Sequence, residues 1–352
     1  MLTGTISKLK TNLHRPLRAK LIFNPGSGQP GESPQQLVRI LTEMQKQHIL
    51  PEVYLTEPDS QLERVVEHAI KSGIKLIVVA GGDGTIDSIL GAMIGNNAIL
   101  GIIPTGTRNN VAFNLGVTGD IADSVALLRH GRRLKIDVGR VHFGHARHWF
   151  LEGVALGLIS DLYPMADGIQ HGDLSQISGL LSTLVSATPS SLTINLDGKE
   201  HLTTNAHMLL VSNMPFIGPH FQISPHVSFK DSHLDVFTFS DMSKLNMISF
   251  GMLSRSGPLE EAGIKHFRAK HLSIVSEPQM PVLADGILLS SSAIIGQTGT
   301  HTLPDMLHIG SGTETSIHVH PRAMTVMAGK ELTGQRPVQP VRVESIMKPD
   351  ES

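Results

Sequence analysis

Residues Leu76-Ile-Val-Val-Ala-Gly-Gly-Asp-Gly-Thr85 set the strongest constraint on this chain. A strand that is apolar at every position has no face to give to water. It belongs inside a sheet covered on both sides, the usual setting of parallel β-structure. It runs straight into Gly81, Gly82 and Gly84, whose missing Cβ atoms let backbone N–H groups approach an anion closely. A helix expected to start near Ile86 would point its positive end at the same place, and Thr85 adds a hydroxyl donor. A tight turn with no ligand explains the glycines equally well. Asp83 weighs against that plainer reading. A carboxylate beside a phosphate cradle is repelled unless it holds a cation, a sugar hydroxyl or the loop's own amides.

The flanking sequence repeats the alternation. Strand patterns at Ala19–Asn24, Glu52–Thr56, Ile74–Ala80 and Ala98–Ile103 interleave with helical ones at Pro34–His48, Gln61–Lys71, Ile86–Ile94, Asn109–Leu115 and Ile121–His130. This predicts an α/β domain over 16–134, a mostly parallel sheet with flanking helices and ligands at the carboxyl ends of its strands. Loops Asn24–Gly31, Gly81–Thr85 and Pro104–Asn110 follow strands, carry glycine and should converge on one crevice. From about Leu134 the texture turns β-rich. Lys135–His142, Ser191–Leu196, Ala206–Asn213, Leu234–Phe239, His271–Ser276 and Ile287–Ile295 read as strands, with helical signal only in parts of Leu156–Ala187 and in Lys244–Ser254. A second, antiparallel domain is expected over 135–312. Gly310–Thr315 reads as a linker, Ser316–Val326 as a last strand, and 329–352, polar and aperiodic, as a disordered tail.

The bulk composition excludes several classes. The chain of 352 residues is long enough for two domains. Lys+Arg 29 against Asp+Glu 31 leaves a net charge of −2, which argues against a nucleic-acid binder. With Cys 0, disulfides, thiolate catalysis and cysteine-ligated zinc are excluded, and a reducing, cytoplasmic compartment fits. No apolar run approaches the ~20 residues a membrane span needs. Met1–Lys20 has no apolar core of a secretion signal.

Lesser patterns have plain readings. Gly26-Ser-Gly-Gln-Pro-Gly31 formally matches a dinucleotide-binding turn, but Pro30 inside it and the want of a clear ribose-binding acid make it a poor match to a nicotinamide enzyme. His142, His145 and His148 would not share a face on a strand or hairpin, so a solvated loop is the better reading than zinc. Trp149 reads as packing at a strand edge, and Met242, Met247 and Met252 as core rather than lipid channel. Arg132, Arg133, Lys135, Lys265, Arg268 and Lys270 could meet an anionic leaflet, though scattered solvated charge accounts for them.

Several segments form an ordered set over Leu21 to Val326. They are Asn24-Pro-Gly-Ser-Gly28, Thr56, Gly81-Gly-Asp-Gly-Thr85, and Gly106-Thr-Arg-Asn-Asn110 with Ala112 and Leu115-Gly116. Ile136-Asp-Val-Gly139, Phe150-Leu-Glu-Gly-Val-Ala-Leu-Gly157, Asp231-Ser-His-Leu-Asp235 and Ala284-Asp-Gly286 follow. The set resembles the catalytic family of diacylglycerol kinases, in its bacterial soluble lipid-kinase branch, related to sphingosine and ceramide kinases. The resemblance implies a two-domain fold with its active site in the interdomain cleft and the last strand returning to the first domain. It implies ATP and Mg²⁺, with the γ-phosphoryl group passed to a lipid hydroxyl at a membrane surface. By resemblance, Asn24, Pro25, Gly26, Ser27, Gly28, Thr56, Gly81, Gly82, Asp83, Gly84, Thr85, Thr107 and Asn109 bind the nucleotide. Asp285 is the catalytic base. Asp231, with backbone carbonyls near Ser228 and His233, holds a structural Mg²⁺. Taken alone, Asp285-Gly286 reads as a hairpin turn and Asp231-Ser232 as a surface turn.

The chain departs from the family pattern at four places. Asp87 stands where the family usually has Asn, Asn110 where it has Asp, Glu152 where it has Asn and Ile287 where it has Glu. The first two exchange a charge and are expected to compensate each other beside the phosphates. Residue 287 faces the same side as 285, so the base gains an apolar neighbour, and Glu152 is expected to supply the missing carboxylate. The departures motivate an alternative reading, a nucleotide-binding but catalytically weak regulator or lipid sensor.

Overall fold

The computed structural model describes residues 16–28, 31, 33–143, 146–160, 162, 175, 178–179, 182–183, 186–217, 221–240, 264–278, 280–289 and 315–333. Its first lobe is an alternation of β1 (Leu17–Phe23), α1 (Ser33–Lys46), β2 (Ile49–Leu55), α2 (Leu62–Lys71), β3 (Leu76–Gly81), α3 (Asp83–Asp87), α4 (Leu90–Met93), β4 (Ile99–Pro104), α5 (Asn110–Asn114) and α6 (Ile121–His130). Strands β2, β1, β3 and β4 pair in that order, all parallel. Every residue of β3 is buried because alternate side chains serve opposite cores. Ile77 and Val79 pack with Val66 of α2, while Val78 and Ala80 pack with Ile40 of α1 and Val125 of α6.

The helix expected at Ile86–Ile94 starts earlier and is broken. It grows directly from the glycine turn, with Gly82 as N-cap, and α3 stops at Asp87 before α4 begins at Leu90. The Ser88 hydroxyl donates back to the Gly84 carbonyl (2.8 Å), local bonding of the kind that bends helices.

The second lobe contributes β5 (Arg132–Phe143), β6 (Ala146–Phe150), β7 (Gly153–Gly157), β8 (Ser190–Leu196), β9 (Glu200–Ala206), β10 (Met208–Ser212), β11 (Phe216–Ile217), β12 (Phe221–Gln222), β13 (Leu234–Phe239), β14 (Ile264–Ala269), β15 (His271–Glu277), β16 (Val282–Ala284), β17 (Ile287–Leu288) and β18 (Thr315–Ala328). An antiparallel sheet runs β14-β13-β10-β7-β16-β17. Its Val154, Leu209 and Val236 share a core with Leu192, Ile274 and Ile317 from β8, β15 and β18.

Strand β18 joins the lobes. Its first half pairs antiparallel with β15, and its second half pairs parallel with β4 at Thr325↔Ile99 and Val326↔Leu100. It also pairs with β5, with a register shift between His320 and Met324. Asp137, fully buried opposite that bulge, accepts from Arg322 N (2.7 Å) and Ser232 N (2.6 Å). Its own N–H donates to the Phe229 carbonyl (2.7 Å). One side chain therefore fixes the shared strand to a turn of the second lobe.

Among the described residues no helix is long and apolar enough to cross a membrane. The segment Lys244–Ser254, most of the helical stretch expected in Leu156–Ala187, Gly310–Glu314, the strand positions after Leu289, the tail beyond 333, His145 and the three methionines near one helix lie outside the described residues.

Candidate active site

Three loops distant in sequence close on one cleft of about 760 Å³ at the carboxyl ends of the parallel strands. The contacts between them are tight. A Cβ on Gly28, whose φ is +88°, would lie 2.6 Å from the Thr105 carbonyl oxygen, and one on Gly106 would lie 2.5 Å from Gly82 Cα. Asn24 Nδ2 donates to Thr85 Oγ1 (3.0 Å), and Asn24 Oδ1 accepts from Gly26 N (2.9 Å), so one amide ties the first loop to the second. Asn24, Pro25, Gly26, Ser27, Gly28, Thr56, Gly82, Gly84, Thr85 and Thr107 line the cleft.

Gly81, Asp83 and Asn109 do not line it. Asp83 accepts from Asn110 N (3.0 Å) and Val111 N (3.1 Å), capping α5 from another loop. Of the three fates open to this carboxylate, it takes the amides, though not those of its own loop. Asn109, at φ +53°, accepts from Gly106 N (3.0 Å) and donates to Gly106 O (2.6 Å), which shapes the third loop from behind. The lining also includes Gly106, named in the sequence only as part of the third loop, and Glu57, Pro58, Ser60, Leu62 and Ser88, which the sequence reading did not single out. The run Thr56-Glu-Pro-Asp-Ser60 after β2 is turn-forming, and the rule that ligands sit at strand carboxyl ends could have found it.

Asp285 belongs to the second lobe and is not among the residues that line the cleft. With Gly286 it forms the two-residue turn between β16 and β17, both at positive φ (+45° and +81°). The hairpin reading of this dipeptide is therefore correct, and the side chain does more besides. Oδ2 accepts from Leu151 N (2.6 Å), and Oδ1 accepts from Glu152 N and Gly153 N (2.9 Å each). The 151–153 segment is fixed in turn by Asn213, whose Nδ2 donates to Leu151 O (2.7 Å) and whose N–H donates to Glu152 O (2.8 Å). Burial pushes Asp285 up to about 7, against the pull of the three amides, and Asp87 of the first lobe pushes it the same way. Glu152 is raised well above the carboxylate range, first by burial, then by Asp285 and Asp83. Carboxyls of both lobes thus lie within electrostatic reach of one another.

Comparison with known proteins decides the family. The model of the diacylglycerol kinase catalytic domain matches residues 18–141, and that of a YegS C-terminal NAD kinase β-sandwich-like domain matches 161–309. Residues 18–141 belong to the diacylglycerol kinase catalytic-domain family. It is 25% identical over 280 residues to the diacylglycerol kinase of Bacillus subtilis, covering 76% of this chain and 89% of that protein. To the diacylglycerol kinase of Staphylococcus carnosus it is 24% identical over 278 residues, covering 76% and 88%. A crystal structure of a diacylglycerol kinase from Bacillus anthracis shares the fold, with a TM-score of 0.66 at 21% identity over 90% of this chain and 98% of that one. The chain is thus a member of a lipid-kinase family and a kinase-type enzyme by descent.

Within the diacylglycerol kinase family pattern, the departures pair differently from expectation. Asn110 is close enough to Glu152 to favour its charged form, so the charge missing at 110 has a counterpart at 152. Asp87 is matched instead by His148, whose Nε2 lies 3.3 Å from Asp87 Oδ1. The expectation that 87 and 110 compensate each other is corrected accordingly. His148 is largely buried rather than solvated, and β5–β6 pairing puts it on the face opposite His142, since it pairs with Val141 while His142 pairs with Arg147.

The Asp231 turn does not fit the structural Mg²⁺ implied by the diacylglycerol kinase resemblance. Asp231 Oδ2 is ion-paired to Arg268 Nη2, and Oδ1 accepts from His233 N (3.1 Å). Ser228 is buried in the same turn. A guanidinium on the only acidic side chain of the expected ligand set repels a second cation. Among the described residues no group of three or more His, Cys, Asp or Glu is placed to hold a metal.

Proposed function

We propose that the protein transfers the γ-phosphoryl group of ATP to the hydroxyl of a lipid, of the diacylglycerol or sphingoid kind, at a membrane surface. One observation carries this reading. A glycine-walled cleft of about 760 Å³ lies in one lobe, and the buried Asp285 carboxylate of the other lobe is within electrostatic reach of Asp87, in the helix that grows from the central glycine loop of that cleft. The cleft volume lies within the roughly 300–1,000 Å³ of small-molecule sites. Its glycine loops offer backbone donors to a triphosphate, and Asp83, which would repel phosphate, is held away by the α5 amides. Phosphoryl transfer rests on positioning and charge neutralisation more than on covalent chemistry. Mg²⁺ carried with the nucleotide would neutralise phosphate charge. Asp285 accepts the proton of the attacking hydroxyl. Two amides occupy Oδ1, whereas Oδ2 accepts one and keeps a lone pair for that proton.

The test is transfer of labelled phosphate from ATP to a panel of diacylglycerol, a sphingoid base and phosphatidylglycerol, with Asp285→Ala as control. The expected result is a labelled lipid product that falls about 10²–10⁴-fold in the variant while ATP affinity is retained. Equal transfer by the variant would remove Asp285 from the chemistry. ATP binding with no lipid-dependent ADP release would support the regulator reading instead.

A further inference from the structure

The turn Asp231-Ser-His-Leu-Asp235 carries two carboxylates close together, and one of them, Asp235, is 1% exposed. Such a pair needs a cation. We infer that Arg268 is that cation, built into the chain, and that the turn is held without a divalent metal. Arg268 of β14 is the cross-strand partner of Asp235 on β13, so strand register delivers its head to the turn. Its Nη2 pairs with Asp231 Oδ2 and its Nε lies 3.5 Å from Asp235 Oδ1. The same Asp235 oxygen meets His266 Nε2 at 2.7 Å. The planar guanidinium spans two carboxylates at once, which a lysine ammonium does with less geometric definition. The remaining Asp231 oxygen is taken by the His233 amide. A hard divalent cation seeks several oxygen ligands; both Asp231 oxygens already accept a contact and the guanidinium sets its positive charge beside both carboxylates, while Asp235 Oδ2 is buried without a hydrogen-bond partner.

The consequence reaches beyond the turn. Ser232 N donates to Asp137 Oδ2 and the Phe229 carbonyl accepts from Asp137 N, while Asp137 Oδ1 holds the β18 bulge at Arg322. Arg268 therefore supports the segment that holds the junction between the lobes, and does so at any free metal concentration.

The experiment is thermal unfolding of the full chain, free of nucleotide, in EDTA and in millimolar MgCl₂ or CaCl₂. The wild type is expected to melt at the same temperature in all three. Arg268→Gln is expected to melt several degrees lower in EDTA, and that loss is expected to shrink when Asp231→Asn is added, since the neutral amide no longer needs the cation. A wild-type midpoint that rises with Mg²⁺ or Ca²⁺, with the rise abolished by Asp231→Asn, would overturn the inference. So would an Arg268→Gln midpoint equal to wild type. If Arg268→Gln does not fold, the comparison of wild type with Asp231→Asn across the three solutions decides alone.

Discussion

The Asp285 carboxylate shares two oxygens among three amide donors, yet it is not an acid with its ordinary strength. Burial outweighs the amides and lifts it from the usual ~3.9 to about 7, and Asp87 adds to the lift. A base must be ionised to accept a proton, so a raised value costs activity on the acid side. The expected pH profile of kcat/KM falls about tenfold per unit below pH ~7. Asp87→Asn removes a charge that raises Asp285, so its acid limb should move to lower pH. An unmoved limb would mean that the Asp87 charge does not reach Asp285 in the working enzyme. Burial works against protonation of His148, but the neighbouring Asp87, 3.3 Å away, raises it, so a protonated His148 would offset part of the Asp87 charge.

The glycine loops show which parts of the site could be read from sequence and which needed tertiary contacts. Strand-then-glycine is a local pattern, so the convergence of the first, second and third loops was legible. The loop at Thr56–Leu62 carries no glycine and was marked only at Thr56, through the family resemblance, although Glu57, Pro58, Ser60 and Leu62 line the same cleft. Asp83 was visible as an anomaly, but its partners at Asn110 and Val111 are 27 and 28 residues away, and no local pattern encodes that distance. Likewise β9 and β14 are edge strands of their sheets with mixed exposure, so they lack the apolar runs that revealed β3 and β13. Two glycines that look alike in sequence also do different work. A Cβ on Gly106 would collide with Gly82, whereas one on Gly84 would meet no protein atom although Gly84 lines the cleft. Gly106→Ala should therefore lower stability by about 1–3 kcal/mol through overpacking. Gly84→Ala should leave stability unchanged or raise it by about 0.5–1 kcal/mol, since it sits in α3, and should weaken ATP binding. Paired melting curves and ATP titrations check both. A Gly84→Ala protein that binds ATP as wild type would mean that phosphate does not approach that backbone.

At the scale of the molecule, two sets of titrating groups act on stability with opposite signs. His142, His318 and His320 are each pushed below the usual imidazole value, chiefly by burial, His318 to about 4. They stay neutral in the folded chain where the unfolded chain would protonate them, so their contribution is lost as pH falls below about 6.5. Glu152 and Asp285 are raised, so the folded chain keeps protons that the unfolded chain releases above about 4. Their contribution is present at low pH and is lost as pH rises through their folded values, about 7 for Asp285. Above neutrality the histidine contribution is complete, and the loss from the cleft carboxyls remains, concentrated where Asp83 and Asp87 of one lobe meet Glu152 and Asp285 of the other. Glu152→Gln removes one of those charges. The glutamine amide also gives buried Asn110 Oδ1 the donor it lacks. The variant is expected to be more stable than wild type by roughly 1–3 kcal/mol at alkaline pH, with the gap closing as pH falls to about 4, where the glutamate of the unfolded chain is protonated as well. Denaturant unfolding across that range measures it. A gap independent of pH would assign the gain to the amide hydrogen bond alone and take the Glu152 charge out of the balance between the lobes.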